Sequence, residues 1–439
     1  MRMAATCAPD VYFPIEIAAR EYSGHLLLAV ELAGRGVNSV IGYKGAVERA
    51  MESSTRPGML FYKNYRKDRW STLVAKSVGQ DPEAGFTWTN FSDFFAARSG
   101  LQMASSSDAY FCYGPEDHQF LQEKLPEASL HLTGSPRVSL WGALGRTFHA
   151  DRMAAISEHY GEFVLFASSG FRGNPKLEAE REHLDASTKD RLQEDDRVAR
   201  EMLGAAIAVV RETGKKVVIR PHPTEDWTAW QEALQGEPQI SLESCFDLAA
   251  WIHASSAVVQ RSSTAALEAY FAEVPVIAYF GSEEARDGDI MTRKVAVPNH
   301  VAIPAVGAVE LCETLAELSP RFDAFRTQAG PRELMRRKFL HPIESAPRNV
   351  ADVIVAELDT SGPSGLRRPG PLSRFRHSRA SRHQKPEWPP FGRPPVFKRR
   401  PLPLDVVSRD VRAAREALGL HAEVSVVPLE RDCFRIGSA

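Results

Sequence analysis

The chain has 439 residues, 43% of them hydrophobic, and a formal net charge of −2. That length exceeds one ordinary core and suits two, and the near-neutral charge speaks against binding to nucleic acid by the molecule as a whole. No window approaches the roughly 18 apolar residues of a membrane-spanning helix, and Met1 to Asp10 lacks the apolar core of a secretory signal. The scattered Cys7, Cys112, Cys245, Cys312 and Cys433 show no CxxC and no metal-ligand spacing, which points to reduced thiols in a cytoplasmic protein.

In chain order, Asp10 to Ile15 reads as a short buried strand. Arg20 to Arg35 carries the helical period through Leu26, Leu27, Val30 and Leu32. Gly34 and Gly36 punctuate its end, and Val37 to Ile41 is a second strand. The rhythm recurs with a strand at Ala109 to Tyr113, a helix at Glu116 to Lys124 and a strand at Ser129 to Thr133, closed by Gly134-Ser-Pro-Arg137. A second run starts with the strand Phe163 to Ala167. It continues through a helix at Asp195 to Thr213 and a strand at Lys216 to Ile219. Then follow a helix at Asp247 to His253, a strand at Ala257 to Gln260, a helix at Thr264 to Ala272 and a strand at Pro275 to Tyr279. Strands separated by helices predict parallel sheets covered on both faces. Two such runs predict two Rossmann-like, doubly wound α/β domains, with ligand sites at the carboxyl ends of the strands.

The expected divisions are residues 1–145, 146–359, a Pro/Arg-rich linker at 360–404 and a small α/β segment at 405–439. Residues 361 to 404 crowd arginines and lysines among prolines, with few aliphatic residues to offset ordering entropy. That composition predicts a disordered basic tail. Beyond it, Arg409 to Leu418 is helical in period and Ala422 to Val427 strand-like. This segment either docks on the body or moves independently.

Three junctions carry chemistry. Arg220-Pro-His222-Pro223 directly follows a strand, and flanking prolines fix the backbone that presents the imidazole; the alternative is a histidine in a rigid turn. Gln260-Arg-Ser262-Ser263-Thr264 stands between a strand and a helix, with Glu268 one turn further on. Hydroxyls and orphan N–H groups there form an anion site, or simply cap the helix. Asp81-Pro-Glu83-Ala-Gly85 offers two carboxylates beside a glycine, or an ordinary surface turn.

Taken together, Val11-Tyr-Phe-Pro-Ile-Glu16 to Glu21, Leu26 to Ala29, Val40 to Gly42, Gly134 to Arg137, Ala167-Ser-Ser-Gly-Phe171, Arg220 to Glu225 and Ser263 to Tyr279 resemble the bacterial surface carbohydrate biosynthesis proteins. The resemblance spans about residues 10 to 320. It implies glycosyltransferases of the GT-B architecture, two domains facing across a cleft. The His-Pro and Ser-Ser/Thr motifs are also similar to those of sialyl-, polysialyl- and Kdo-transferases that use CMP-sugars.

What this implies is an inverting, metal-independent transfer from a nucleotide-sugar, a CMP-linked ulosonic acid first among donors, with no cofactor. His222 would meet the departing phosphate, with Arg220, Ser262, Ser263, Thr264 and Glu268 around the nucleotide. The acidic motif implies a base at Glu83, with Asp81 in reserve; Ala84 stands where that motif has a second acid. Glu16, Arg20, Glu21, Ser168 and Ser169 would line the cleft. Expected partners are the donor, a glycan or lipid-linked glycan acceptor and, through residues 361–404, an anionic membrane at the inner face of the cytoplasmic membrane. No specific nucleic acid is expected. Rival readings are a nucleotide-sugar epimerase, a CDP-polyol phosphotransferase and a non-catalytic glycan-assembly protein.

Overall fold

A computed structural model of the chain describes residues 11–54, 58–63, 73–81, 91–98, 100–168, 186–222, 225, 227–243, 248–292, 297–359 and 401–439. The strands are β1 (Val11–Ile15), β2 (Ser39–Tyr43), β3 (Met59–Tyr62), β4 (Lys76–Gly79), β5 (Ala109–Cys112), β6 (Leu130–Leu132), β7 (Phe163–Ala167), β8 (Lys216–Arg220), β9 (Ile240–Leu242), β10 (Ala257–Gln260), β11 (Val276–Phe280), β12 (Ile303–Val306), β13 (Val424–Glu430) and β14 (Cys433–Ser438). They form two sheets, ordered β13-β14-β2-β1-β3-β4-β5-β6 and β12-β11-β10-β7-β8-β9. β1 to β6 pair in parallel, and so do β7 to β12. These are the two doubly wound α/β domains that the strand–helix alternation predicts, in a GT-B-type arrangement.

Their central strands are apolar throughout because each face meets a different core layer. In β7, Phe163 and Leu165 join the layer containing helix Ala265–Ala272, while Val164 and Phe166 join the layer under helix Ala186–Thr213. In β1, Val11, Phe13 and Ile15 face helix Ala18–Ala33 and Tyr12 faces the opposite layer. Helix Ala186–Thr213 begins nine residues before the predicted start at Asp195.

The C-terminal segment docks on the first sheet. β14 runs antiparallel to β2 with Phe434 opposite Ile41, and Phe434 and Ile436 enter the first core. Each such buried side chain contributes about 1.5–3 kcal/mol. The approach is so close that a Cβ on Gly42 would lie 2.5 Å from the Asp432 carbonyl oxygen. Helix Leu404–Leu418 lies over helices Ala18–Ala33 and Ala143–Phe148. Its buried Asp410 accepts hydrogen bonds from Tyr22 Oη (3.1 Å) and Arg152 Nη2 (2.7 Å).

Helix Ala346–Asp359, read from sequence with the second domain, also sends Val350, Ala351 and Ile354 into the first core. The chain therefore returns to the first domain before residue 360. Residues 361–400, most of the expected disordered tail, lie outside the described residues. Among the described residues no helix is long and apolar enough to cross a membrane.

Candidate functional site

Strand register assembles the edge of the second sheet. Ala167 of β7 stands opposite Gln260 of β10 on one side and Arg220 of β8 on the other. Residues remote in sequence therefore leave the sheet side by side: Ser168, Arg220 to His222, and Arg261 to Thr264. The crevice between β7 and β10 is where the strand order reverses, the usual ligand position in an open α/β sheet.

His222 is exposed at this edge. Its loop is held from beneath by Glu225, whose backbone N–H bonds the His222 carbonyl oxygen at 2.8 Å. The Glu225 carboxylate is buried and accepts from Ser168 Oγ (3.0 Å) and Trp230 Nε1 (2.7 Å). Ser168 thus supports the His222 loop, while its own N–H bonds the Arg220 carbonyl oxygen at 3.1 Å. Ser169 and Pro223 lie outside the described residues.

In the Ser262–Thr264 loop, Ser262 takes a left-handed conformation with φ of 53°. Asn299 holds it there: its Oδ1 accepts from the Ser262 N–H (3.1 Å) and its Nδ2 donates to Ser262 Oγ (3.0 Å). The Ser263 N–H bonds Gln260 Oε1 at 2.7 Å. Two backbone donors that the sequence offers to an anion are therefore taken by Asn299 and Gln260, and the Ser263 and Thr264 hydroxyls become the loop's polar offering. Ser263 Oγ already accepts from the Ala265 N–H at 3.3 Å, which leaves its proton to donate. Arg261 points away and pairs with Glu201 (3.0 Å) on helix Ala186–Thr213.

Glu268 lies one turn into the helix after this loop and is 5% exposed. Its carboxyl pKa is raised by burial, with Arg137 and Arg220 opposing. Arg137 Nη2 sits 3.4 Å from Glu268 Oε1. Arg137 follows β6 of the first sheet, so the carboxyl edges of the two sheets meet at this ion pair.

The first sheet presents its own polar edge. Ile15 stands opposite Tyr43, and the register of β1 with β3, Val11 opposite Met59, extends to Ile15 beside Lys63. Glu16, Lys44 and Lys63 therefore emerge together. Glu16 Oε1 accepts from Lys44 Nζ (3.0 Å) and from the Tyr62 hydroxyl, and Oε2 pairs with Lys63 Nζ (3.1 Å). Lys63 also pairs with buried Glu21 (2.6 Å). Burial raises the Glu16 pKa, but Lys63, Tyr62 and Lys44 prevail and hold it at about 2. Arg20 is half-buried on the following helix. Asp81, just past β4, is 4% exposed; Glu83 lies outside the described residues.

The structure thus brings Ser168, Arg220, His222, Ser262, Ser263, Thr264 and Glu268 to one edge and Glu16 and Glu21 to another. Sequence reasoning passed over Arg137, Glu225, Gln260, Asn299, Lys44, Tyr62 and Lys63 as site residues. Three had a signal: Arg137 ends Gly-Ser-Pro-Arg, Glu225 ends Arg-Pro-His-Pro-Thr-Glu, and Gln260 precedes the Ser-Ser-Thr run. Asn299 had none.

The sequence matches no protein-family model and no curated protein. Among solved structures, the chain is similar to a putative UDP-N-acetylglucosamine 2-epimerase from Listeria monocytogenes. Identity is 14%, covering 81% of this chain and 98% of that one, with a TM-score of 0.52. Weaker likenesses are to the wall teichoic acid polymerase TagF (10% identity, 80% and 89% covered, TM-score 0.46) and the calicheamicin glycosyltransferase CalG4 (12%, 82% and 100%, TM-score 0.45). At 14% identity the likeness to the epimerase shows the two-domain fold alone.

Proposed function

We propose that this chain is an inverting, metal-independent glycosyltransferase of the bacterial surface carbohydrate biosynthesis type. It moves a sugar from a nucleotide donor, a CMP-linked ulosonic acid first among candidates, to a glycan or lipid-linked glycan. The supporting observation is the register that sets Arg220, His222 and Ser262 to Thr264 along one carboxyl edge, beside the inter-domain Arg137–Glu268 pair. Breaking an anomeric carbon–oxygen bond leaves negative charge on the departing phosphate. Hydroxyls of Ser263 and Thr264, the Arg220 guanidinium and the His222 imidazole act on that charge. A carboxylate of the Asp81–Glu83 segment takes the proton of the incoming hydroxyl.

The test is ligand-dependent melting. CMP is expected to raise the melting temperature by mass action, and a Ser263→Ala, Thr264→Ala double variant is expected to lose most of that shift. His222→Ala is expected to slow CMP release from a CMP-sugar about a hundredfold. If CMP, CDP, UDP and GDP all leave the melting temperature unchanged, the reading fails.

The basic run at 361–404 adds a membrane-directed element by composition, since each Arg or Lys near an anionic surface contributes about 1 kcal/mol. Co-sedimentation with phosphatidylserine vesicles at low salt, lost when the run's arginines are changed to serine, is the expected result. Unchanged sedimentation assigns the contact elsewhere.

A further inference from the structure

We propose that the Glu16–Lys44–Tyr62–Lys63 array at the edge of the first sheet binds vicinal hydroxyls of an uncharged sugar, and so selects a neutral glycan acceptor. The inference deepens the transferase reading and rests on it for the word acceptor; the hydroxyl site itself rests on geometry.

Position comes first. In the order β2-β1-β3, the connections from β1 and β2 leave in opposite directions, so the strand order reverses between β1 and β3. Glu16 and Lys63 stand at that reversal, the first domain's equivalent of the crevice at which open α/β sheets bind ligands.

Composition comes second. Two carboxylates, Glu16 and Glu21, face two ammonium groups, Lys44 and Lys63. A phosphate or carboxylate ligand would meet Glu16 without a surplus of positive charge, and a metal ion would meet both lysines. A sugar diol both donates and accepts, and it matches an array that alternates the two roles and, with buried Glu48 acting on Tyr62, holds no surplus of positive charge.

Construction comes third. The lower members are fixed: the side chains of Glu21 and Lys63 are 3% and 11% exposed. Glu21 Oε2 accepts the backbone N–H groups of Glu16 (2.6 Å) and Ile17 (3.3 Å), pinning the chain as it leaves β1. The upper members open outward, Glu16 at 30% and Lys44 at 32% exposure. Among the described residues Glu16 Oε2 is bonded to Lys63, and it keeps a lone pair for a ligand hydroxyl. With its pKa near 2, Glu16 accepts hydrogen bonds and does not serve as the proton acceptor. That separates its task from the base in the Asp81–Glu83 segment.

The experiment is saturation-transfer NMR on the full-length protein with matched probes: glucose, N-acetylglucosamine and N-acetylmannosamine against glucuronate and glucose 6-phosphate. Neutral sugars are expected to bind and the charged ones to bind more weakly. Glu16→Gln is expected to weaken neutral binding about tenfold or more, as for a lost charged hydrogen-bond acceptor, while the CMP-induced melting shift is retained. Tyr62→Phe and Lys44→Met give the same readout should Glu16→Gln fail to fold. The proposal is overturned by wild-type affinity in folded Glu16→Gln, by preference for the charged probes, or by no neutral binding in a protein that binds CMP. Glu16-dependent sugar binding without binding of any nucleotide would sink the donor reading and leave this site standing.

Discussion

Arg137 and Glu268 form an ion pair at 3.4 Å that joins the short helix Pro136–Ser139 after β6 to the helix after β10, and so ties one sheet's carboxyl edge to the other's. The Glu268 side chain is 6% exposed, so removing Arg137 takes away its ion-pair partner and leaves Arg220 alone to oppose burial of the charge. Arg137→Ala is expected to cost about 3 kcal/mol in urea unfolding. Adding Glu268→Gln should recover part of that loss, because the buried group becomes neutral. A double variant less stable than the single one would show that the pair is not the source of the effect.

The Glu225 carboxylate supports the polar edge of the second sheet through Ser168, and its N–H bonds the His222 carbonyl oxygen directly. Glu225→Ala leaves the Ser168 hydroxyl and the Trp230 indole N–H without their carboxylate, at about 1–3 kcal/mol each. The expected outcome is a lower melting temperature, changed Trp230 fluorescence and a weakened CMP shift. Glu225→Gln keeps one acceptor oxygen and should fall between. Unaltered CMP response in the alanine variant would detach the His222 loop from nucleotide binding.

Asp410 gathers Tyr22 from the first core and Arg152 from the helix beside the second. Asp410→Ala is expected to destabilise the protein by about 3 kcal/mol, with Asp410→Asn milder. Limited proteolysis should then cut near residue 400 sooner than in wild type. Equal stability of the alanine variant and wild type would mean that apolar packing alone holds the C-terminal helix.

Stability should fall below neutral pH. Burial, then Arg152 and His253, push His149 down to about 3, and burial, then Arg146, pushes His253 down to about 4. In the unfolded chain both bind a proton near pH 6.5. Stability contributed by their neutral forms is therefore present above about pH 6.5 and lost as pH falls toward 4, at up to about 1.4 kcal/mol per pH unit per group. Glu16 adds to the decline further down, since its depressed pKa contributes stability above about 4.3 that is lost as pH falls toward 2. Melting temperatures at pH 7.5, 6.5 and 5.5 check the histidine window, and His149→Gln should flatten the slope. An unchanged slope in that variant rules His149 out.

The strand–helix alternation was legible because each central strand is a short apolar run bounded by a turn. β1, β7, β8, β10 and β11 stand within about two residues of their predicted limits. β4 (Lys-Ser-Val-Gly) and β14 (Cys-Phe-Arg-Ile-Gly-Ser) were not legible, because neither carries an apolar run or a clean alternation. β14 exists because β2 offers an edge for it to cover.

The same division runs through the site. Local sequence determines that Arg220-Pro-His222 and Ser262-Ser-Thr264 sit at the ends of strands, because prolines, hydroxyls and apolar runs act over a few residues. That Ser168 stands beside both, that Asn299 holds Ser262 in a left-handed turn, and that Lys63 reaches Glu16 across 47 positions is decided by strand register and helix packing. Register depends on which strands pair over the whole chain, and no local period encodes it. Sequence alone therefore located the strand-end loops, and tertiary structure decided which of their side chains stand side by side.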